Sequence, residues 1–210
     1  MYQIVLVLMG ALAIILSQVM GIVLIGPQIK WMIMLGFTLN IGVVLGLLVL
    51  AFVPKLTALL LKPYYYVMER YKSQKDYQTL RLTMESKVAL FHEEVWEVIK
   101  DSRLFFQSLL LNMLKLLVLY SVTYFLCLTI GITSMTMLQG IIISAFVMLI
   151  TSMVPIPGAS GGAEFGFVIL FGTLIGAQIT VVMLLWRFVT YYVGMILGSL
   201  VYYFGYVSES

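Results

Sequence analysis

Pro155-Ile156-Pro157-Gly158-Ala159-Ser160-Gly161-Gly162-Ala163-Glu164 sets a helix-breaking, carboxylate-bearing segment inside sequence otherwise apolar enough to sit in a bilayer. Pro155 and Pro157 stop the incoming helix, because each lacks an N–H and holds the residue before it extended. Gly158, Gly161 and Gly162 allow turns and close approach that a side chain would block. A second helix is expected to begin near Gly162 or Ala163 with Ser160 as its N-cap, so that free N–H groups and the positive end of a helix dipole face the break. Such an end suits a phosphate. Glu164, in the first turn, is favourably placed for the same dipole, and that account of its charge requires no ligand.

The surrounding composition fixes the solvent: 62% hydrophobic residues, only 10% charged, and a mean hydropathy of +1.10. A soluble domain carries about 25% charged residues, so the chain reads as an integral membrane protein. Residues 4–25 and 31–53 each supply the roughly 20 apolar residues that cross about 30 Å of hydrocarbon. The first lacks a basic leader and is too long in its apolar core for a cleaved signal peptide. Gly26-Pro27-Gln28 makes the turn between them, and further spans run over about 106–130 and 178–203. The expectation is a single all-α, polytopic membrane domain over residues 1–210, with about six membrane segments and one cytoplasmic amphipathic helix.

Residues 54–103 hold nine of the twelve Lys and Arg residues and seven of the nine acidic ones. That loop stays in water. Lys55, Lys62, Lys100 and Arg103 lie close to span ends, which places the loop, and by parity both termini, on the cytoplasmic side of a cell membrane. Within it Leu80, Met84, Val88, Phe91, Val95 and Val98 recur at helical spacing, with Glu85, Lys87, Glu94, Glu97 and Asp101 opposite. His92-Glu93-Glu94 lacks the second histidine of a zinc helix, since Trp96 stands at that position, and reads as a solvated face. No metal or other cofactor is expected.

Around the break, residues 137–153 and 163–175 make apolar pieces of 17 and 13 residues, both short for a crossing. Two arrangements are open. In one, two full crossings place the break at the cytoplasmic surface; in the other, favoured here, a re-entrant hairpin enters from outside and holds the break near the midplane, as discontinuous transporter helices do. Lys115, Glu164 and Arg187 are the ionisable side chains at membrane depth outside the charged loop. A charge there costs about 2.5–3.5 kcal/mol on insertion scales, so each should face protein, water or a partner. An ion pair between Glu164 and Arg187 is inferred, either purely structural or able to release the arginine to a lipid phosphate. Lys115 is a further candidate for the same cavity, and Tyr191 and Tyr192 for its flanks. Gly162/Gly166, Gly172/Gly176 and Gly194/Gly198 are small-residue repeats suited to helix packing. Cys127, alone in an apolar run, reads as a buried hydrophobe.

The break, followed by Leu185-Trp186-Arg187-Phe188-Val189-Thr190-Tyr191-Tyr192 and Gly198, resembles the flippase-like membrane domain of the lysylphosphatidylglycerol synthase family, including the membrane half of the multiple peptide resistance factor. The helix from Phe91 through Asp101 and Arg103 is similar as well, so the likeness covers roughly residues 87–203. It implies a lipid-handling domain that moves or holds an anionic or aminoacylated phospholipid, and it sets Pro155, Pro157, Gly158, Gly161, Glu164, Arg187 and Tyr191 on motif positions. Family members are usually longer, so the chain is expected to be a short or partial member. The aminoacyltransferase half of fused members has no counterpart here, so neither enzyme activity nor nucleic-acid binding is expected. The leading reading is a lipid translocase whose substrate is phosphatidylglycerol or its aminoacyl derivative. Its alternative is a membrane scaffold for a separate synthase, with a homo-oligomer as a further assembly.

Overall fold

The computed structural model describes residues 1–21, 26–71, 74–154 and 157–209. Residues 22–25, at the end of the first expected span, and Pro155 and Ile156 lie outside the described residues. The helices are α1 Tyr2–Val19, α2 Pro27–Phe52, α3 Pro54–Tyr71, α4 Gln74–Lys100, α5 Ser102–Thr129, α6 Met137–Thr151, α7 Gly162–Ile175, α8 Ile179–Arg187 and α9 Val193–Glu209. The described residues carry no strand, and the fold is that of an all-α membrane protein.

Among the described residues four stretches are long and apolar enough to cross a membrane: Tyr2–Val19, Pro27–Phe52, Ser102–Thr129 and Gly162–Phe204, with Met137–Thr151 a shorter apolar helix. The count is lower than the expected six because α6, at 15 residues, is too short to count and because α7 runs through the 3-10 turn Gly176–Gln178 into α8 without a non-helical residue between them. A fold-back occurs there all the same. Glu164 near the start of α7 meets Arg187 at the end of α8, whereas 23 residues of straight helix would part them by about 34 Å. The reversal is the single 3-10 turn Gly176–Gln178, with Gly176 at φ +67.

The chain packs as two compact units, one of Met1–Asn40 with Leu111–Ser210 and one of Ile41–Leu110. In the first, α6 and α7 form an antiparallel hairpin. Gly166 of α7 lies against Ile150 and Val147 of α6, and at the far end the Ser134 hydroxyl donates to the Leu174 carbonyl at 2.7 Å. Thr136 starts α6 by capping: its hydroxyl accepts from the Gln139 N–H and the Gln139 side chain accepts from the Thr136 N–H. On α5 the buried residues Leu116, Tyr120, Thr123 and Cys127 fall three and four apart, one stripe on a helix apolar all round. Thr123 and Ser144 join α5 to α6 by a buried hydrogen bond of 3.2 Å. Of the small-residue repeats, Gly162 and Gly166 meet neighbours, while Gly172, Gly176, Gly194 and Gly198 meet none among the described residues.

Asn40 of α2 is 3% exposed and ties three elements together. Its carboxamide accepts from Gln3 of α1 and donates to the Gly36 carbonyl and to the Ser152 hydroxyl just beyond α6. Asn40→Leu is expected to lower stability by about 1–2 kcal/mol, the upper end for polar contacts between membrane helices, because Gln3 and Ser152 both lose a partner. Thr38→Val, on the exposed side of the same helix, should change it by less than about 0.5 kcal/mol. Unfolding of both variants in bicelles measures the difference.

The second unit holds two helices where the sequence reading placed one amphipathic helix. The added helix is α3, which continues through Pro63 and packs on α4. The Arg81 guanidinium of α4 lies over the Tyr65 ring of α3, 5.9 Å from its centroid. His92 is not on a solvated face: its Nδ1 donates to the Ala51 carbonyl at 2.7 Å. That carbonyl belongs to the last turn of α2, whose end has unpaired acceptors, and Trp96 packs edge-on against Phe52 at 5.6 Å beside it.

Candidate functional site

The turn from α6 into α7 is built from left-handed backbone. Gly158 and Ala159, in the 3-10 turn Pro157–Ala159, have φ +73 and +46, and Gly161 has φ +89. Gly161, not Ser160, is the N-cap of α7, and Ser160 is exposed. A positive φ just before the helix favours glycine, and the capping group comes from inside the helix: Glu164 Oε2 accepts the Gly161 N–H at 2.6 Å. The expected hydroxyl cap is thus replaced by a carboxylate reaching back.

Glu164 is held from a second side. Its Oε1 accepts from Arg187 Nε at 2.7 Å, with the Arg187 side chain 10% exposed and that of Glu164 32%. Arg187 Nη2 also donates to the Gly158 carbonyl at 3.0 Å and reaches the Ala159 carbonyl at 3.5 Å. The guanidinium therefore clamps the turn to the start of α7. Arg187 is the buried charged residue among the described residues, and its carbon Cζ lies 5.6 Å from the ring centroids of both Trp186 and Tyr191. Trp186 in turn stacks on Phe167 of α7 at 4.8 Å. Directly after Arg187 the helix widens into a π turn, Phe188–Tyr192, a local expansion frequent at functional sites. It carries Tyr191 against Gly158.

Beside this clamp lies a cavity of about 380 Å³. Gly158, Ala159 and Ala163 of the turn and Trp186, Arg187, Thr190 and Tyr191 of the returning helix form one wall. The other wall comes from Tyr2, Gln3 and Leu6 of α1, Leu119 and Tyr120 of α5, and Ser144, Met148, Thr151 and Ser152 of α6 and its end. The Tyr120 hydroxyl is buried with no hydrogen-bond partner among the described residues. Among the described residues no three of His, Cys, Asp and Glu gather as a metal site.

Of the residues singled out in the sequence, Gly158, Arg187 and Tyr191 line the cavity, and Glu164, Gly161 and Gly162 support it from the first turn of α7. Pro155 lies outside the described residues, and Pro157 opens the 3-10 turn. Ser160 points away from the cavity, on the exposed side of the turn. Lys115 does not line the cavity either. It sits on the exposed face of α5, one position off the stripe of Leu116 and Tyr120, and its Nζ lies 5.6 Å from the centroid of the Tyr2 ring. The sequence reading missed Tyr2, Gln3, Tyr120, Ser144, Ser152 and Thr190. The signal at Tyr120, Ser144, Ser152 and Thr190 was a polar group within an apolar span, and Tyr2 and Gln3 lie just before the first span.

A family described as lysylphosphatidylglycerol synthase TM region matches residues 1–198. No curated protein and no solved structure matches the chain.

Proposed function

The chain belongs to the family of lysylphosphatidylglycerol synthase membrane regions, and on that footing we propose that it is a flippase-like translocase for an anionic or aminoacylated phospholipid. One observation carries this reading: a buried guanidinium and left-handed backbone face a largely apolar cavity that carries a few polar groups. The continuous run from Ile179 through α9 reaches Arg187 after about 12 Å, at 1.5 Å per residue, and goes on well past it. With the Gly176–Gln178 turn near the outer surface, the break lies inside the hydrocarbon as the tip of a re-entrant hairpin, and residues 54–103 and both termini face the cytoplasm. A phosphate enters against the free edge of Arg187 while the acyl chains stay among neighbouring helices. The chain performs no covalent chemistry in this scheme.

Reconstitution into liposomes with fluorescent phosphatidylglycerol or its lysyl derivative tests the proposal, with a quencher reading exchange between leaflets. Protein-dependent exchange of at least one of these lipids is expected. A rate no greater than that of empty liposomes for every anionic and aminoacylated lipid would overturn it in favour of a scaffold for a separate synthase.

A further inference from the structure

We propose that phospholipid reaches the cavity sideways, through the seam between α1 and α5, that Lys115 is the phosphate-binding group at the mouth of that seam, and that the Tyr2 ring is its shutter. Such a route rests on the lipid reading of the cavity and adds the way in.

Lys115 stands midway between Ser102 and Thr129, the ends of α5, about 20 Å from either at 1.5 Å per residue. Its side chain cannot snorkel to an interface from there. It is exposed, and Leu111, Leu114 and Val118, which share its face of the helix, are exposed too, so that face is turned to lipid. An ammonium in such a place should meet protein, water or a partner. Among the described residues the ion pairs are Arg81 with Glu85 and Arg187 with Glu164, and neither includes Lys115. A second copy of the chain would not supply the missing anion. Outside residues 54–103 the acidic side chains are Glu164 and Glu209, and Glu164 already accepts from Arg187 with one oxygen and from the Gly161 N–H with the other. The anion therefore comes from the surroundings. At a lipid-facing position that anion is a lipid phosphate, which a lysine holds as a point charge with three donors.

Tyr2 marks the route inward. It is 40% exposed and yet lines the cavity, and its ring centroid lies 5.6 Å from the Lys115 Nζ. Tyr2 and Leu6 of α1 and Leu119 and Tyr120 of α5 are all cavity walls, so the ring stands in the seam between the two helices, with the cavity behind it and lipid in front. The backbone of α1 is fixed by other contacts. Gln3 donates to Asn40, and Gly10 lies against Leu149 of α6. What is left to move is the Tyr2 side chain. A cation–π contact holds its ring by Lys115, and a phosphate oxygen offers the ammonium a stronger, charge-assisted bond. An arriving phosphate thus draws the cation off the ring and frees the ring to turn. Arg187, on the opposite wall, then takes the phosphate over.

Two measurements on the purified full chain test the route: leaflet exchange of phosphatidylglycerol labelled on an acyl chain, in liposomes and scaled to folded protein, and equilibrium binding of short-chain phosphatidylglycerol in detergent by native mass spectrometry. Lys115→Gln should slow exchange about tenfold, the size of one lost charge-assisted hydrogen bond. Equilibrium binding should change by less than about twofold, because the cavity and Arg187 are untouched. Lys115→Arg keeps the charge and should exchange within about twofold of the wild-type rate. Tyr2→Ala removes the shutter and should speed exchange about threefold, the size of an exposed cation–π contact. Exchange by Lys115→Gln at the wild-type rate, or a loss of binding as large as the loss of rate, overturns the route while the lipid reading stands. A Lys115→Gln variant that exchanges normally but changes oligomeric state overturns it in favour of a contact with another membrane helix. Slower exchange by Tyr2→Ala removes the ring as a shutter and overturns the gated seam. A wild-type chain that exchanges no anionic or aminoacylated lipid overturns the lipid reading, and the route with it.

Discussion

Glu164→Ala is expected to destabilise the chain by about 2–4 kcal/mol and to abolish leaflet exchange, and exchanging the two charges in a Glu164→Arg, Arg187→Glu double variant is expected to rescue neither. Breaking a buried pair by removing one partner costs roughly 3–5 kcal/mol; the lower range applies because the Glu164 side chain is 32% exposed and water screens part of the loss. The failure of the exchange comes from the surroundings of the pair. Arg187 donates to the Gly158 and Ala159 carbonyls as well as to Glu164, and Glu164 accepts from the Gly161 N–H. After the exchange a carboxylate at 187 would face carbonyl oxygens and a guanidinium at 164 would face an N–H at the positive end of α7. Every contact except the pair itself has the wrong sign. Glu164→Gln keeps an acceptor for the Gly161 N–H and should fall between wild type and Glu164→Ala. Unfolding in bicelles together with the exchange assay separates these outcomes, and restoration of wild-type stability by the double variant would mean that the pair acts alone, without the turn.

The break was legible because its signals are local. Proline, glycine and isolated charges each act on the backbone or on membrane insertion regardless of what packs around them, and the rarity of ionisable groups made the pairing of Glu164 with Arg187 an inference with few competitors. Boundaries set by hydrophobic contrast were less legible. Gly176-Ala177-Gln178 hardly interrupts the hydropathy of its surroundings, yet the chain reverses there. The opposite wall of the cavity was hidden for a different reason. On α5 apolar residues cover every face, so no amphipathic period marks Tyr120 as inward and Lys115 as outward. Ser160 failed as a cap because the sequence displays a hydroxyl but not the positive φ of Gly161, which brings the Glu164 carboxylate within reach of that N–H. In the charged loop, α3 continues through Pro63, a residue type that ordinarily breaks a helix interior.

Gly158→Ala should cost about 2–4 kcal/mol, made of two parts that can be measured separately. The torsional part comes from φ +73, a left-handed conformation that charges an L side chain roughly 1–2 kcal/mol. The steric part comes from Tyr191: a Cβ at Gly158 would lie 2.7 Å from its Oη and 2.9 Å from its Cε2, and overpacking of that kind adds about 1–3 kcal/mol. Gly161→Ala isolates the first part. Its φ of +89 imposes a similar strain, but among the described residues nothing lies within 4 Å of the added methyl group. The excess loss in Gly158→Ala over Gly161→Ala therefore measures the contact with Tyr191. Because that ring packs on the Arg187 guanidinium and forms the cavity wall, the methyl group should also slow leaflet exchange beyond any loss of folded protein. Adding Tyr191→Leu to Gly158→Ala should recover the steric part of the stability and not the exchange rate, since the ring itself is then missing from the wall. Equal losses for Gly158→Ala and Gly161→Ala, with unchanged exchange in the folded fraction, would remove Tyr191 from the site and leave the turn as a hinge with no stake in the cavity.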